Sequence, residues 1–335
     1  MSTTSDSSPA RRAGLAEHLL GRLGSALLLL WMVVTVTFLL IHLAPGDPLS
    51  VLSPERFSPE HRERLARSLG LDRSLGEQYL VWLGNFLRGD WGTSFSLSRP
   101  VLSVITEALP ATILLAFAAT VIEYAVAIPV GVAAARRRGR WADRLLRFCG
   151  LALYSTPVFW LALMAILVFA YWWPLFPASH RASVGAEDLG WGARLLDQLH
   201  HLALPALVLG VASAGGTARF VRNRMIEVLA EDYIRLARAK GLSERRVVWR
   251  HGFRNALVPL VQLLGLSLPM LLNGTLVVEV VFSWPGLGQR IYQGILARDY
   301  PLILGTTVFS GALVILGNLL ADFAHAAVDP RVRRG

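Results

Sequence analysis

What most limits the fold of this chain is the recurrence of apolar stretches about 20 residues long, each able to cross a bilayer core as a helix. They occupy residues 23–43, 110–135, 148–173, 200–217, 257–282 and 301–321. In hydrocarbon every backbone N–H and C=O must find its partner within the protein, so such segments fold as helices. The predicted fold class is all-α, a polytopic membrane protein with six transmembrane helices. Composition agrees, because only 17% of 335 residues are charged, too few to coat a water-soluble surface of this size.

Charge then sets the orientation, since Lys and Arg are retained on the cytoplasmic side. With the N-terminus inside, 22 of the 33 basic residues fall in cytoplasmic segments. These are Arg11, Arg12 and Arg22, a run at 136–147, a longer series between 219 and 254, and Arg331, Arg333 and Arg334. The net charge of +10 follows from this topology. Because the arginines sit in short blocks between apolar stretches, no nucleic-acid partner is predicted. The expected organisation is a cytoplasmic tail at 1–22, a first helix at 23–43 and an extracytoplasmic insertion with short amphipathic helices at 44–105. A five-helix core at 106–322 follows, with a cytoplasmic loop at 218–256, and then a cytoplasmic tail at 323–335.

Within the insertion, Ser58, Pro59 and Glu60 predict a helix start and Gly70 a stop. Tyr79, Trp82, Leu83, Phe86 and Leu87 recur at helical spacing and define an aromatic face. Such a face lies along the membrane interface or packs over the bundle. In the fourth span, Ser213, Gly215 and Gly216 allow close helix contact, and the helix is expected to run on into the polar segment behind it. Pro157 and Pro269 predict kinks.

Several residues are candidates for chemistry. Glu123 falls midway along the second span, where a carboxylate is costly and must face protein or water. With Gln262, Ser267 and Asn273 of the fifth span it forms a candidate translocation-pathway set; a hydrogen bond to a neighbouring helix is the preferred reading of Glu123, and helix-joining hydrogen bonds explain the other three equally well. His200 and His201 are adjacent and do not share a helix face, so no metal site is assigned. Cys149 is the single cysteine and is read as a small core residue. The chain has no phosphate-binding loop of the form Gly, four residues, Gly-Lys-[Ser/Thr], no His-Glu-x-x-His and no Gly-x-Ser-x-Gly, and hence no predicted catalytic, cofactor or metal residues.

The cytoplasmic stretch at 227–259 is the most informative. Glu231 and Asp232 precede Arg235 at helix-pairing distance, and Gly241 supplies the left-handed position that ends a first helix. Ser243 then offers an N-cap for a second short helix reaching about His251. That helix places Val247, Val248 and Trp249 among Arg245, Arg246 and Arg250. Apolar side chains in a cationic cytoplasmic helix call for a covering partner with a groove.

This stretch resembles the cytoplasmic loop of binding-protein-dependent ABC importer permeases, and most of all the oligopeptide, dipeptide and nickel branch. Arg235, Leu236 and Ala237 stand where the family has Glu-Ala-Ala, and Gly241 is the loop glycine. The run Arg250-His251-Gly252-Phe253-Arg254-Asn255-Ala256-Leu257-Val258-Pro259 is similar to that branch's ending. The family Glu is absent, and the closing proline comes later than in the general pattern. Similar fragments run along nearly the whole chain, among them Ala44-Pro45-Gly46-Asp47-Pro48, Gly89-Asp90-Trp91-Gly92 and Phe282-Ser283-Trp284-Pro285-Gly286-Leu287-Gly288.

The resemblance implies a type-1 ABC importer transmembrane domain in a bacterial cytoplasmic (inner) membrane, carrying peptides or peptide-like small solutes. It implies a second homologous permease subunit, two cytoplasmic ABC ATPase subunits that hold ATP and magnesium, and an extracytoplasmic solute-binding protein, all within membrane lipid. It assigns ATPase coupling to Arg235, Ala237, Gly241, Ser243, Val247, Arg250, His251, Arg254 and Asn255. The competing class is an ion-gradient-driven secondary transporter. That class would show paired broken spans and buried acid or base relays across two repeated halves, and the sequence has neither.

Overall fold

The computed structural model describes residues 10–43 and 73–328. The predicted helix at 58–70 and the fragment at 44–48 lie outside the described residues, as do both terminal tails beyond these limits. Among the described residues the regular structure is helical, apart from an isolated antiparallel bridge between Thr93 and Pro100. The helices are α1 (Ala10–Leu43), α2 (Leu75–Leu87), α3 (Val101–Arg136), α4 (Trp141–Ser155) and α5 (Val158–Ile166). After these come α6 (Trp191–Leu229), α7 (Asp232–Ala239), α8 (Arg254–Val281), α9 (Leu287–Leu296) and α10 (Tyr300–Val328).

Among the described residues four helical segments are long and apolar enough to cross a membrane, Gly24–Leu43, Val101–Arg136, Trp191–Leu229 and Tyr300–Gly317, or five if a bent pair of helices counts as one span. The third predicted span is not one rod. Its two halves, Trp141–Ser155 and Val158–Trp172, are bent by 98° at Thr156 and Pro157. Proline lacks the N–H that would continue the helix and its ring crowds the preceding turn. The predicted kink is therefore much sharper than expected, and the helix before it starts at Trp141. The second span begins at Val101, nine residues earlier than the sequence implied, with Pro110 and Pro129 inside the helix. The fifth predicted span falls on α8, where the side chains at 258, 262 and 265–274 lie outside the described residues.

The chain divides into two compact units. In the first, residues 1–102 with 294–315, α2 is opened by a capping box between Ser74 and Glu77. Its aromatic face meets α1 through Tyr79 and Trp82 against Phe38, with ring centroids 5.2 and 5.9 Å apart. The stack continues through Phe86 and Trp91 to Phe309. Of the two readings of that face, packing is what the contacts support. In the same unit Asp299 is fully buried and accepts from the hydroxyls of Ser94 and Ser96 at 2.6 and 2.7 Å.

In the second unit, residues 103–293 with 316–335, α6 runs unbroken for 39 residues. The predicted continuation past the fourth span is thus observed. Its small residues let neighbours approach closely: a Cβ on Gly215 would strike the backbone of Gly150 in α4. The main apolar core gathers Leu115 and Ala119 of α3, Ala162 of α5, Leu204 and Leu209 of α6, and Val278, Phe282 and Trp284.

Candidate functional site

The loop between α6 and α8 builds a small core of its own. Ile234 and Ala237 of α7 pack on Val247, with Leu229 and Leu242 closing the sides. Gly241 has φ +77°, a left-handed conformation that glycine adopts without penalty, and it turns the chain after α7. Ser243 sits at the predicted cap position, but its side chain makes no capping hydrogen bond. Nor is there a separate second helix. The turn Glu244–Arg246 passes into a π-helical segment, Val247–Phe253, which continues directly into α8. A wider turn of this kind shifts the side-chain register by one position, and such segments recur at functional sites.

That geometry revises the sequence reading of the partner-facing residues. Val247 and Val248 are 0% exposed, so they belong to the chain's own core and offer nothing to a partner. Val248 packs with Val132, Val221 and Met225, and Ala237 is buried beside Val247. Each fully buried aliphatic side chain contributes about 1.5–3 kcal/mol. The apolar surface left uncovered is instead Leu236 (56% exposed), Tyr233 (40%) and Trp249 (40%). Arg235, Arg250 and Arg254 are also exposed, whereas His251 is half-buried. Sequence spacing did contain this signal: Leu236 and Tyr233 lie three residues apart on α7, and Leu236 stands two residues from the buried Ile234, on the other side of the helix from it.

Polar contacts hold the loop in shape. Arg238 donates twice to the Glu244 carboxylate, at 3.2 and 3.0 Å, and so ties α7 to the turn after Gly241. The Arg238 guanidinium keeps the Glu244 carboxyl below its ordinary value. The pair's contribution is present above the ordinary glutamate range and is lost as pH falls through that lowered value. Asn255 donates to the Tyr233 hydroxyl at 2.7 Å, and Trp249 meets Phe253 edge-on at 5.3 Å. Arg235 pairs with Asp232 at 3.1 Å on the open surface, where such pairs are worth little.

Three buried carboxylates brace the helices of this second unit. Asp143, 0% exposed, receives two hydrogen bonds from Arg222 of α6 at 2.7 and 2.8 Å, a planar fork joining α4 to α6. Glu123 accepts from Thr217, and its second oxygen has no hydrogen-bond partner among the described residues. It therefore faces protein at that contact. Glu279 accepts from the Thr112 hydroxyl at 2.7 Å and from the Gly288 and Gln289 N–H groups at 2.7 and 3.2 Å, at the start of α9. Thr112 in turn accepts from the Leu287 N–H at 2.8 Å, and the Trp284 indole donates to the Ala111 carbonyl at 2.9 Å. The sequence reading singled out neither Asp143 nor Glu279. The signals were there: Asp143 is the lone acid in the arginine run at 136–147, and Glu279 is a carboxylate in an apolar run, like Glu123. Gln262, Ser267 and Asn273 lie on α8, but their side chains are outside the described residues.

Long apolar helices, a cationic loop with an uncovered aromatic and aliphatic surface, and buried polar braces define a multi-pass membrane permease component. Residues 127–334 match the family described as binding-protein-dependent transport system inner membrane component, and residues 15–116 match its N-terminal membrane component. The chain belongs to this family. Relatives include the oligopeptide transport system permease protein AppB of Bacillus subtilis, 38% identical over 95% of this chain and 99% of that protein. The dipeptide transport system permease protein DppB of Escherichia coli is 37% identical over the same shares. A putative peptide transport system permease protein of Brucella abortus is 41% identical over 94% and 98%. An inward-facing structure of the MetNI methionine ABC transporter superposes on 70% of this chain and all of that chain, with a TM-score of 0.52 at 20% identity. The observed fold is accordingly the expected all-α transmembrane domain of a type-1 ABC importer.

Proposed function

We propose that this chain forms half of the translocation pathway of an ATP-driven importer for peptides or peptide-like solutes. In this reading it spans the bacterial inner membrane six times with both termini in the cytoplasm, beside a second homologous permease subunit. Two ABC ATPase subunits hold ATP and magnesium, and an extracytoplasmic binding protein delivers the solute. The observation that carries the reading is the uncovered surface of Tyr233, Leu236 and Trp249, set among exposed arginines on a loop whose interior is already packed. A soluble groove that covers these side chains on binding has a rigid lever to push, because Arg238–Glu244 and the Val247 core fix α7 to α8. ATP moves such a lever only if it favours the docked, closed ATPase state over the open one. The peptide relatives support the choice of cargo.

The test is solute uptake by proteoliposomes holding the assembled complex. Uptake of a labelled peptide should require both ATP and the binding protein. Uptake driven by a proton or sodium gradient without nucleotide would overturn the reading in favour of a secondary transporter.

A further inference from the structure

Beside the Asp143–Arg222 fork, helices α3, α4 and α6 leave a cleft of about 220 Å³. Its base is backbone, where Gly150 and Gly215 face one another, and its apolar wall includes Leu151 and the Tyr154 ring. Its rim carries Arg147, Arg219 and Arg222. Asp143 neutralises one of these guanidinium groups. It takes both hydrogen bonds from Arg222, while the Arg147 guanidinium stands 3.6 Å away. Arg219 is exposed and has no ion-pair partner among the described residues. Three cations against one carboxylate leave a surplus of two positive charges around a small apolar-walled space.

The outer surface of α4 continues the cleft. Trp141, Leu145 and Phe148 follow at intervals of four and three residues and are all exposed, as are Leu151 and Tyr154. This apolar strip belongs to a helix that turns through 98° from the apolar helix after it. The helix also carries Arg144 and Arg147 beside this strip, and long basic side chains among exposed apolar ones suit the boundary of headgroups and acyl chains. The space is smaller than the roughly 300–1,000 Å³ of a drug-sized ligand site, which excludes a bound peptide cargo. It suits one compact anion joined to hydrocarbon.

We infer that this cleft binds the phosphodiester headgroup of an anionic phospholipid, with the phosphate between Arg147 and Arg219 and the acyl chains along the exposed face of α4. Basic pockets between transmembrane helices recognise such headgroups through the same pairing of guanidinium and phosphate. Arg222 is already committed to Asp143 and serves to hold α6 against α4, keeping the cleft open.

The experiment is native mass spectrometry of the purified assembled importer, supplied with phosphatidylglycerol or phosphatidylcholine. The unaltered protein should retain phosphatidylglycerol in preference. The double variant Arg147→Gln with Arg219→Gln should lose that preference roughly 30-fold, the product of two arginine contributions near a membrane surface. The control Arg137→Gln with Arg138→Gln, outside the cleft, should keep it. Should the double variant not fold, Arg219→Gln alone carries the same test at roughly fivefold. Absence of lipid preference in the unaltered protein overturns the inference, as does equal loss in the control. Displacement of the lipid by equimolar inorganic phosphate would mark a free-anion site, and exclusion of lipid by the second permease subunit would mark a protein interface. Either result also overturns it.

Discussion

At Glu279 a hydroxyl and two N–H groups from the chain itself meet one buried carboxylate, and the Trp284 indole is bonded beside them. Around residues 232–254 the interior is also packed, yet Tyr233, Leu236 and Trp249 remain in the open with exposed arginines nearby. Both segments belong to the same unit, and each closes a long helix. The difference teaches where to look for a partner. A self-satisfied segment maintains shape, whereas a segment packed inside and apolar outside offers a surface for a partner to cover.

The comparison breaks most visibly at Glu279. Glu279→Leu removes the acceptor for the half-buried Gln289 N–H and for two buried donors, the Thr112 hydroxyl and the Gly288 N–H, each of the two costing about 1–3 kcal/mol when orphaned, so roughly 2–6 kcal/mol. The expected outcome is loss of monodisperse protein in size-exclusion chromatography. An unchanged melting temperature would show that the segment is not held from within. Next comes Asp143→Asn, which leaves Arg222 largely buried without its carboxylate, at a cost of about 3 kcal/mol. Replacing both partners instead, Asp143→Leu with Arg222→Met, should recover most of the melting temperature, since an apolar pair of similar volume leaves no orphaned charge. The smallest effect sharpens the other side of the comparison. Gly241→Val places a β-branched residue at φ +77° with open space around its Cβ, a purely conformational cost of about 2 kcal/mol. Such a variant should still insert into the membrane but co-purify less ATPase, while Gly241→Asn, which tolerates this backbone better, should lose less. Normal recovery of functional ATPase with the valine variant would remove Gly241 from the coupling assignment.

Much of this was legible in the sequence because the signals are strong and local. Apolar length announced the helices, Gly241 announced the break after α7, and Ser213 to Gly216 announced the close contact of α6 with its neighbour. Periodicity alone could not tell which face of residues 243–253 turns inward. Val247 and Val248 turn into the core at the start of the π-helical segment, which leaves Trp249 and the α7 side chains Tyr233 and Leu236 uncovered. The 98° turn at Pro157 was visible as a proline but not as an angle, which depends on how α4 packs against α6. Asp143 and Arg222 are 79 residues apart, and only the fold brings them together.

The central claim is that the face of α7 and Trp249, not the buried valines, is what an ATPase covers. The direct measurement is site-specific cross-linking in a Cys149→Ser background, with a cysteine at Leu236, Trp249 or Val247 and a short thiol cross-linker to the groove of the partner ATPase. The account predicts cross-links from positions 236 and 249 that vary with nucleotide, and none from position 247. Cross-linking from 247 alone, or labelling of 236 and 249 by an impermeant reagent added outside intact cells, would contradict it.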